Sequence, residues 1–176
     1  MRSAKFVLFF AFLGALGGHV FAQDNTPVSA VKAFYAFHRT HHSELSRSSI
    51  EARKKWFSPT LYKLFQREIK RQNEFLRKHP DEKPYFGEGL PFQPWDETCS
   101  VGKTQLHKKL TVKPDAQDAD VATVRLIFAF PPPCKTPDTT EYTMQMVRIG
   151  GVWVIDDLSY DDGSTLAKDL SRVDYQ

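Results

Sequence analysis

Apolar residues recur at spacings of three and four before residue 103 and alternate with other residues after it. A helix buries every third or fourth side chain and a strand every second one, so this switch dictates helices first and strands second. Two or three helices followed by antiparallel strands with short turns make an α+β chain, with helices packed on one face of a curved sheet.

In the helical part, Thr26 and Pro27 form a start signal, a hydroxyl able to cap followed by a ring tolerated in the first turn. Val28, Val31, Phe34, Tyr35 and His38 then trace one face, predicting a helix to about His41 or His42, and a short charged helix follows over Ile50 to Lys55. Ser58 and Pro59 repeat the signal ahead of an apolar stripe running from Leu61 through Phe65 and Ile69 to Leu76, ended by His79, Pro80 and Asp81. From Asp81 to Trp95, prolines and Gly87 and Gly89 mix with Tyr85, Phe86, Phe92 and Trp95; a segment so aromatic predicts an ordered loop laid across the core, with room for one short strand.

In the alternating part, Leu106, Leu110 and Val112 predict one strand interrupted by Lys108, and Asp115 to Asp118 read as a turn. Val124, Leu126, Phe128 and Phe130 mark the strongest strand, stopped by Pro131, Pro132 and Pro133, which lack a donating N–H. Glu141 to Ile149 and Val152 to Leu158 flank Gly150 and Gly151, the signature of a two-residue hairpin. After a turn at Asp161 to Gly163, Ser164 is the expected cap of a terminal helix over Leu166 to Val173.

Arg2 and Lys5, the eleven-residue apolar run Phe6 to Leu16, and the small residues Val20 and Ala22 have the order of a secretory leader cut near Ala22. The run is far short of the roughly 20 residues of a membrane-spanning helix, so no permanent anchor is expected. The reading is a periplasmic or secreted protein, with residues 1–22 a cleaved signal peptide and residues 23–176 a single α+β domain. The leader carries two of the 24 basic residues, leaving 22 Lys and Arg against 21 Asp and Glu, a net charge of +1 that names no partner. The nine basic and three acidic residues between Glu51 and Lys78 read as a solvated helix face, and export argues against nucleic acid. Cys99 and Cys134, an even pair in an oxidising compartment, are most simply a disulfide; their spacing is not that of a C-x-x-C redox or metal pair.

The segments VKAFYAFH, FSPTLYKLF and GGVWVIDDLSYDDGSTLAKDL resemble exported bacterial proteins of the family called domain of unknown function 3828. That family is similar in turn to the cone-shaped fold of nuclear transport factor two and the cystatin-like group. The resemblance implies a sheet curled around a pocket that the first helix helps to close, and it supplies no catalytic residues. Cone folds often pair through the outer sheet face, which Ile127 and Val147 would populate in a homodimer.

His38 and His42, four apart with His41 between them, are the candidate metal ligands, although two imidazoles make only half of a zinc site. Asp156, Asp157, Asp161 and Asp162 crowd the last strand end without the alternating pattern of a calcium loop, and carboxylates there also suit a helix start. Alternation puts Asp157 on the face of Trp153 and Ile155, where with Tyr35 and Tyr142 it would furnish an acid/base pocket of the ketosteroid-isomerase type. Trp95 is the candidate for stacking on sugar. No nucleophile elbow, phosphate loop, dinucleotide fingerprint or H-E-x-x-H is present, so no cofactor is implied. The leading expectation is a noncatalytic module that binds a small molecule or an envelope protein, in one version as an immunity or inhibitor protein. N-terminal sequencing of the exported protein should begin at Gln23; retention of Met1 would overturn the leader reading.

Overall fold

The computed structural model describes residues 25–94, 98–135 and 138–172. The leader, Trp95 and Val173 lie outside the described residues, and with them the expectations placed there. Helix α1 spans Pro27–His38 and opens with a capping box, in which Thr26 Oγ1 accepts from Ser29 N at 3.1 Å and Ser29 Oγ accepts from Thr26 N at 3.1 Å. It buries Val31, Phe34, Tyr35 and His38 and stops three or four residues earlier than the spacing predicts. Phe37 O accepts from the Thr40 amide and from the Thr40 hydroxyl, which tightens the last turn, while His42 O turns away to the Arg53 guanidinium.

Helix α2, Arg47–Arg53, begins three residues before the expected start because Ser46 caps it through Ser49 N. A 3-10 turn over Lys54–Trp56 then leads into α3, Pro59–Lys78, which Ser58 caps through Leu61 N and which buries Leu61, Phe65 and Glu68. The proline-rich segment after it is an ordered loop, and no strand forms between residues 81 and 94.

Strands β1 (Thr98–Val101) and β2 (Thr104–His107) form a two-stranded hairpin, and β3 (Lys109–Gln117), β4 (Val121–Ala129), β5 (Thr139–Ile149) and β6 (Val152–Ser159) form an antiparallel sheet in that order. The single strand predicted through Leu106 and Val112 is therefore two strands in two sheets, divided at Lys108. Its ammonium is buried where the chain changes sheets, 2.8 Å from Asp138 Oδ2 and 3.2 Å from Thr140 Oγ1, contacts that a lysine on an outward strand position would not reach. The turn predicted at Asp115 to Asp118 is also displaced. Asp115 is the extra residue of a bulge and stays in β3, because its carboxylate accepts from the Thr123 hydroxyl at 2.8 Å and Arg125 at 3.2 Å; the chain reverses only after Asp118.

Val124, Leu126 and Phe128 of β4 face the helices, as alternation demands, and pair with Met144, Tyr142 and Thr140 of β5. Gly150 and Gly151 adopt φ of 59° and 83° in the β5–β6 turn, the left-handed values that a primed two-residue hairpin requires. The outer edge of β6 is covered, since Ser58 N donates to Ile155 O at 2.8 Å and Ser159 bridges Thr165. Ile127 and Val147 lie half-buried on the sheet face opposite Phe128 and Met146.

Helix α4 is short, Leu166–Leu170, and is capped by Thr165 rather than by Ser164. Ser164 instead bonds the Asp162 carboxylate through both its amide and its hydroxyl. Arg67 and Arg71 of α3 donate to Leu170 O at 3.3 and 3.2 Å, so the basic face of α3 holds the end of α4. The chain is thus α+β: helices, antiparallel sheets, then a short helix. Among the described residues no helix is long and apolar enough to cross a membrane.

Cys99 of β1 and Cys134 of the loop after β4 form a disulfide across 35 residues of sequence, with Cα atoms 6.2 Å apart. It fastens the small hairpin to the main sheet. Replacing both cysteines by serine should lower the unfolding free energy by roughly 3–4 kcal/mol on the chain-entropy account; an unchanged urea midpoint would show the hairpin to be held by other contacts.

Candidate binding pocket beneath the proline-rich loop

The proline-rich loop is pinned by its own apolar side chains. Phe92 is fully buried, 4.8 Å from the Phe34 ring, stacked on Phe57 and close to Phe65, while Phe86 and Leu90 are buried beside it. Tyr35 donates its hydroxyl to Phe92 O, and Leu90 N donates to Ser43 O in the connector after α1. Gly89 makes that approach possible, with φ of 114° and a position where a Cβ would meet Ser43 O at 2.9 Å.

Between the underside of this loop, β5, the end of β6 and α4 lies a pocket of about 540 Å³, lined in part by Tyr85, Glu88, Gln93, Tyr142, Tyr160 and Asp169. Tyr142 stands edge-on to Phe128 at 5.5 Å and to Tyr160 at 5.2 Å, and the Tyr160 hydroxyl donates to Pro91 O at 3.3 Å. Burial drives the Tyr160 and Tyr35 phenols well above their ordinary range, so both stay neutral donors. Burial also raises Asp169, against the lowering influence of Arg172, which donates to its Oδ1 at 3.0 Å. A second, more open groove of about 650 Å³ on the other side of the loop includes His42, Arg47 and Asn73. The tyrosine-lined pocket is the better candidate site, because it combines aromatic faces with a nearly buried carboxylate.

Of the candidate site residues that the structure describes, only Tyr142 lines this pocket. Tyr35 lies wholly in the core, its hydroxyl committed to Phe92 O. Asp157 is not on the face of Trp153 and Ile155. A bulge at Asp156 shifts the register so that Gln145 pairs with Asp157 and its neighbour Met146 with Ile155, which reverses the faces. The Asp157 carboxylate instead accepts from Leu158 N and from Ala167 N, both at 2.8 Å, and anchors α4. Tyr85, Tyr160 and Asp169 were missed. The signals for them were Tyr85 within the aromatic loop and Tyr160 alone in a polar turn, and Asp169 was hidden among the aspartates around it.

The two metal candidates are separated. His38 is buried at the end of α1, whereas His42 lies beyond the helix with its side chain exposed and its carbonyl bound to Arg53 at 3.0 Å. Among the described residues no group of three or more His, Cys, Asp or Glu side chains could hold a metal ion. The role of His38 is to accept from Arg53 Nε through Nδ1 at 3.2 Å. That places the proton of the neutral ring on Nε2, which faces the aromatic core without a hydrogen-bond partner.

Burial, and then the Arg53 charge, hold the His38 imidazole down at about 4 against an ordinary 6.5. The unfolded chain therefore takes up a proton between those values that the native state refuses, so the contribution is complete above pH 6.5 and is lost as pH falls towards 4. A His38→Gln variant keeps an acceptor for Arg53 without the titration. Between pH 7 and 4.5 the wild type should lose about 2 kcal/mol more than the variant in urea unfolding; parallel losses would exclude His38 as the source. No family model matches this chain and no curated protein matches it significantly, so the geometry alone carries the functional reading.

Proposed function

We propose that the protein is a noncatalytic exported binding module whose pocket beneath the proline-rich loop receives a small ligand with an aromatic or apolar body. The observation that carries this reading is the way the pocket's polar groups are used. The Tyr160 hydroxyl is bonded to Pro91 O and the Asp169 carboxylate to Arg172, contacts that fix walls rather than prepare a nucleophile and its base. The acid/base alternative loses its assigned carboxylate, since Asp157 accepts from two backbone amides.

The disulfide supports an extracytoplasmic setting. Helices on one face of a four-stranded antiparallel sheet, with a pocket at one end, support kinship with the cone-shaped, cystatin-like group and with domain of unknown function 3828. A small molecule fits the pocket better than the envelope-protein version of the reading, because the walls are concave and partly buried.

Ligand-observed NMR with small aromatic fragments of neutral, cationic and anionic character tests the proposal. At least one class should show saturation transfer from the protein, and Gln93→Trp, which places a large ring at the pocket rim without entering the core, should weaken that binding about tenfold. Silence from every class would remove the binding reading.

A further inference from the structure

Arg172 lies two residues beyond α4 and turns back over the pocket wall. Its guanidinium carbon is 4.3 Å from the centroid of the Tyr85 ring, and its Nη2 donates to Asp169 Oδ1 at 3.0 Å. A flat cation on an aromatic face, closed by a carboxylate, is a complete recognition unit for guanidinium or ammonium. The chain fills that unit with its own side chain.

The two sides of the contact are unequal. Asp169 is 8% exposed and belongs to the pocket wall, whereas the Arg172 side chain is 47% exposed. Among the described residues Glu88 and Asp169 are the only charged ones in the lining, and Glu88 is met by the exposed Lys83. Every other wall residue is aromatic, apolar or uncharged, and the tyrosine ring faces are the negative ends of their quadrupoles. The charged groups of the described wall are thus both carboxylates, and the partner of Asp169, Arg172, holds it through a contact that is largely solvent-exposed on the arginine side and of low intrinsic strength.

We propose that the pocket accepts the cationic head, guanidinium or ammonium, of a small organic ligand, which displaces Arg172 from Tyr85 and Asp169. This rests on the binding-module reading and narrows it to one charge class. The ligand's apolar body packs against Tyr142 and Tyr160, an area that Arg172 does not cover from its position outside the lining. Arg172 closes the empty site, sparing Asp169 an unpaired and nearly buried charge. A divalent metal is a poorer occupant, since among the described residues the walls supply two carboxylates and no third.

Calorimetric titration of the disulfide-bonded protein with benzamidine and with its neutral isostere benzamide tests the charge preference. Benzamidine should bind about tenfold more tightly than benzamide. Arg172→Ala, at an exposed position, should tighten benzamidine about threefold or more by removing the internal competitor and leave benzamide unchanged. Asp169→Asn should abolish the preference. Equal affinity for the two compounds, or weaker benzamidine binding by Arg172→Ala, would overturn the cation assignment while leaving a pocket that binds neutral fragments. If no fragment of any charge binds, the binding-module reading fails and takes this one with it. Agmatine and a short peptide with an internal arginine separate the sources of the cation: binding of agmatine alone assigns a free small molecule, and equal binding of the peptide assigns a side chain.

Discussion

A buried arginine with no carboxylate beside it organises the helical half of the protein. Arg53 is fully buried, and among the described residues it enters no ion pair; its guanidinium donates to His38 Nδ1, Ser49 O, Ser49 Oγ and His42 O. An unpaired interior charge is costly unless its protons are all received. Here the receivers include the chain just past the end of α1, where carbonyl oxygens collect partial negative charge. The connector between α1 and α2 is folded around that cation. Its Ser43 carbonyl then accepts Leu90 N, and so the seat of the proline-rich loop, and with it the roof of the pocket, follows from where Arg53 lies.

The aromatic core completes this arrangement from the other side. Phe34, Phe57, Phe65 and Phe92 come from α1, the 3-10 turn's end, α3 and the loop, and Phe57 and Phe92 each lie within about 6 Å of the other three rings. With Phe92 held there, the loop cannot lift as a flexible flap, and Tyr85, Tyr142, Tyr160 and Asp169 are presented on a fixed frame. His38 belongs to both systems: it stacks on Phe34 while receiving Arg53, which is why its ring must stay neutral.

Local signals in the chain were readable wherever the physics was local. Thr26–Pro27 and Ser58–Pro59 open helices, Gly150–Gly151 turns a hairpin, and Val124, Leu126 and Phe128 face inward. What could not be read was decided by distant partners or by a single inserted residue. Lys108 stands between two strands, where Asp138, thirty residues on, holds its ammonium. One extra residue at Asp156 reverses the side on which Asp157 stands, and no periodicity in so short a strand announces it. The early end of α1 depends on Arg53, which on a sequence looks like one more charge on a solvated face. The pocket was illegible for the same reason, since Tyr142 comes from β5, Tyr160 from the turn after β6 and Asp169 from α4, and only the tertiary fold brings them together.

The margins of the four-stranded sheet close off another outcome. On one side β6 is met at Ile155 by Ser58 and at Ser159 by Thr165; on the other, β3 carries Lys109, Lys113 and Pro114 beside the bulge at Asp115. A neighbouring molecule seeking to extend the sheet meets charge, a missing N–H and a bent ladder instead of a straight row of bonding groups. Edge-to-edge growth of the four-stranded sheet is therefore disfavoured at both of its margins.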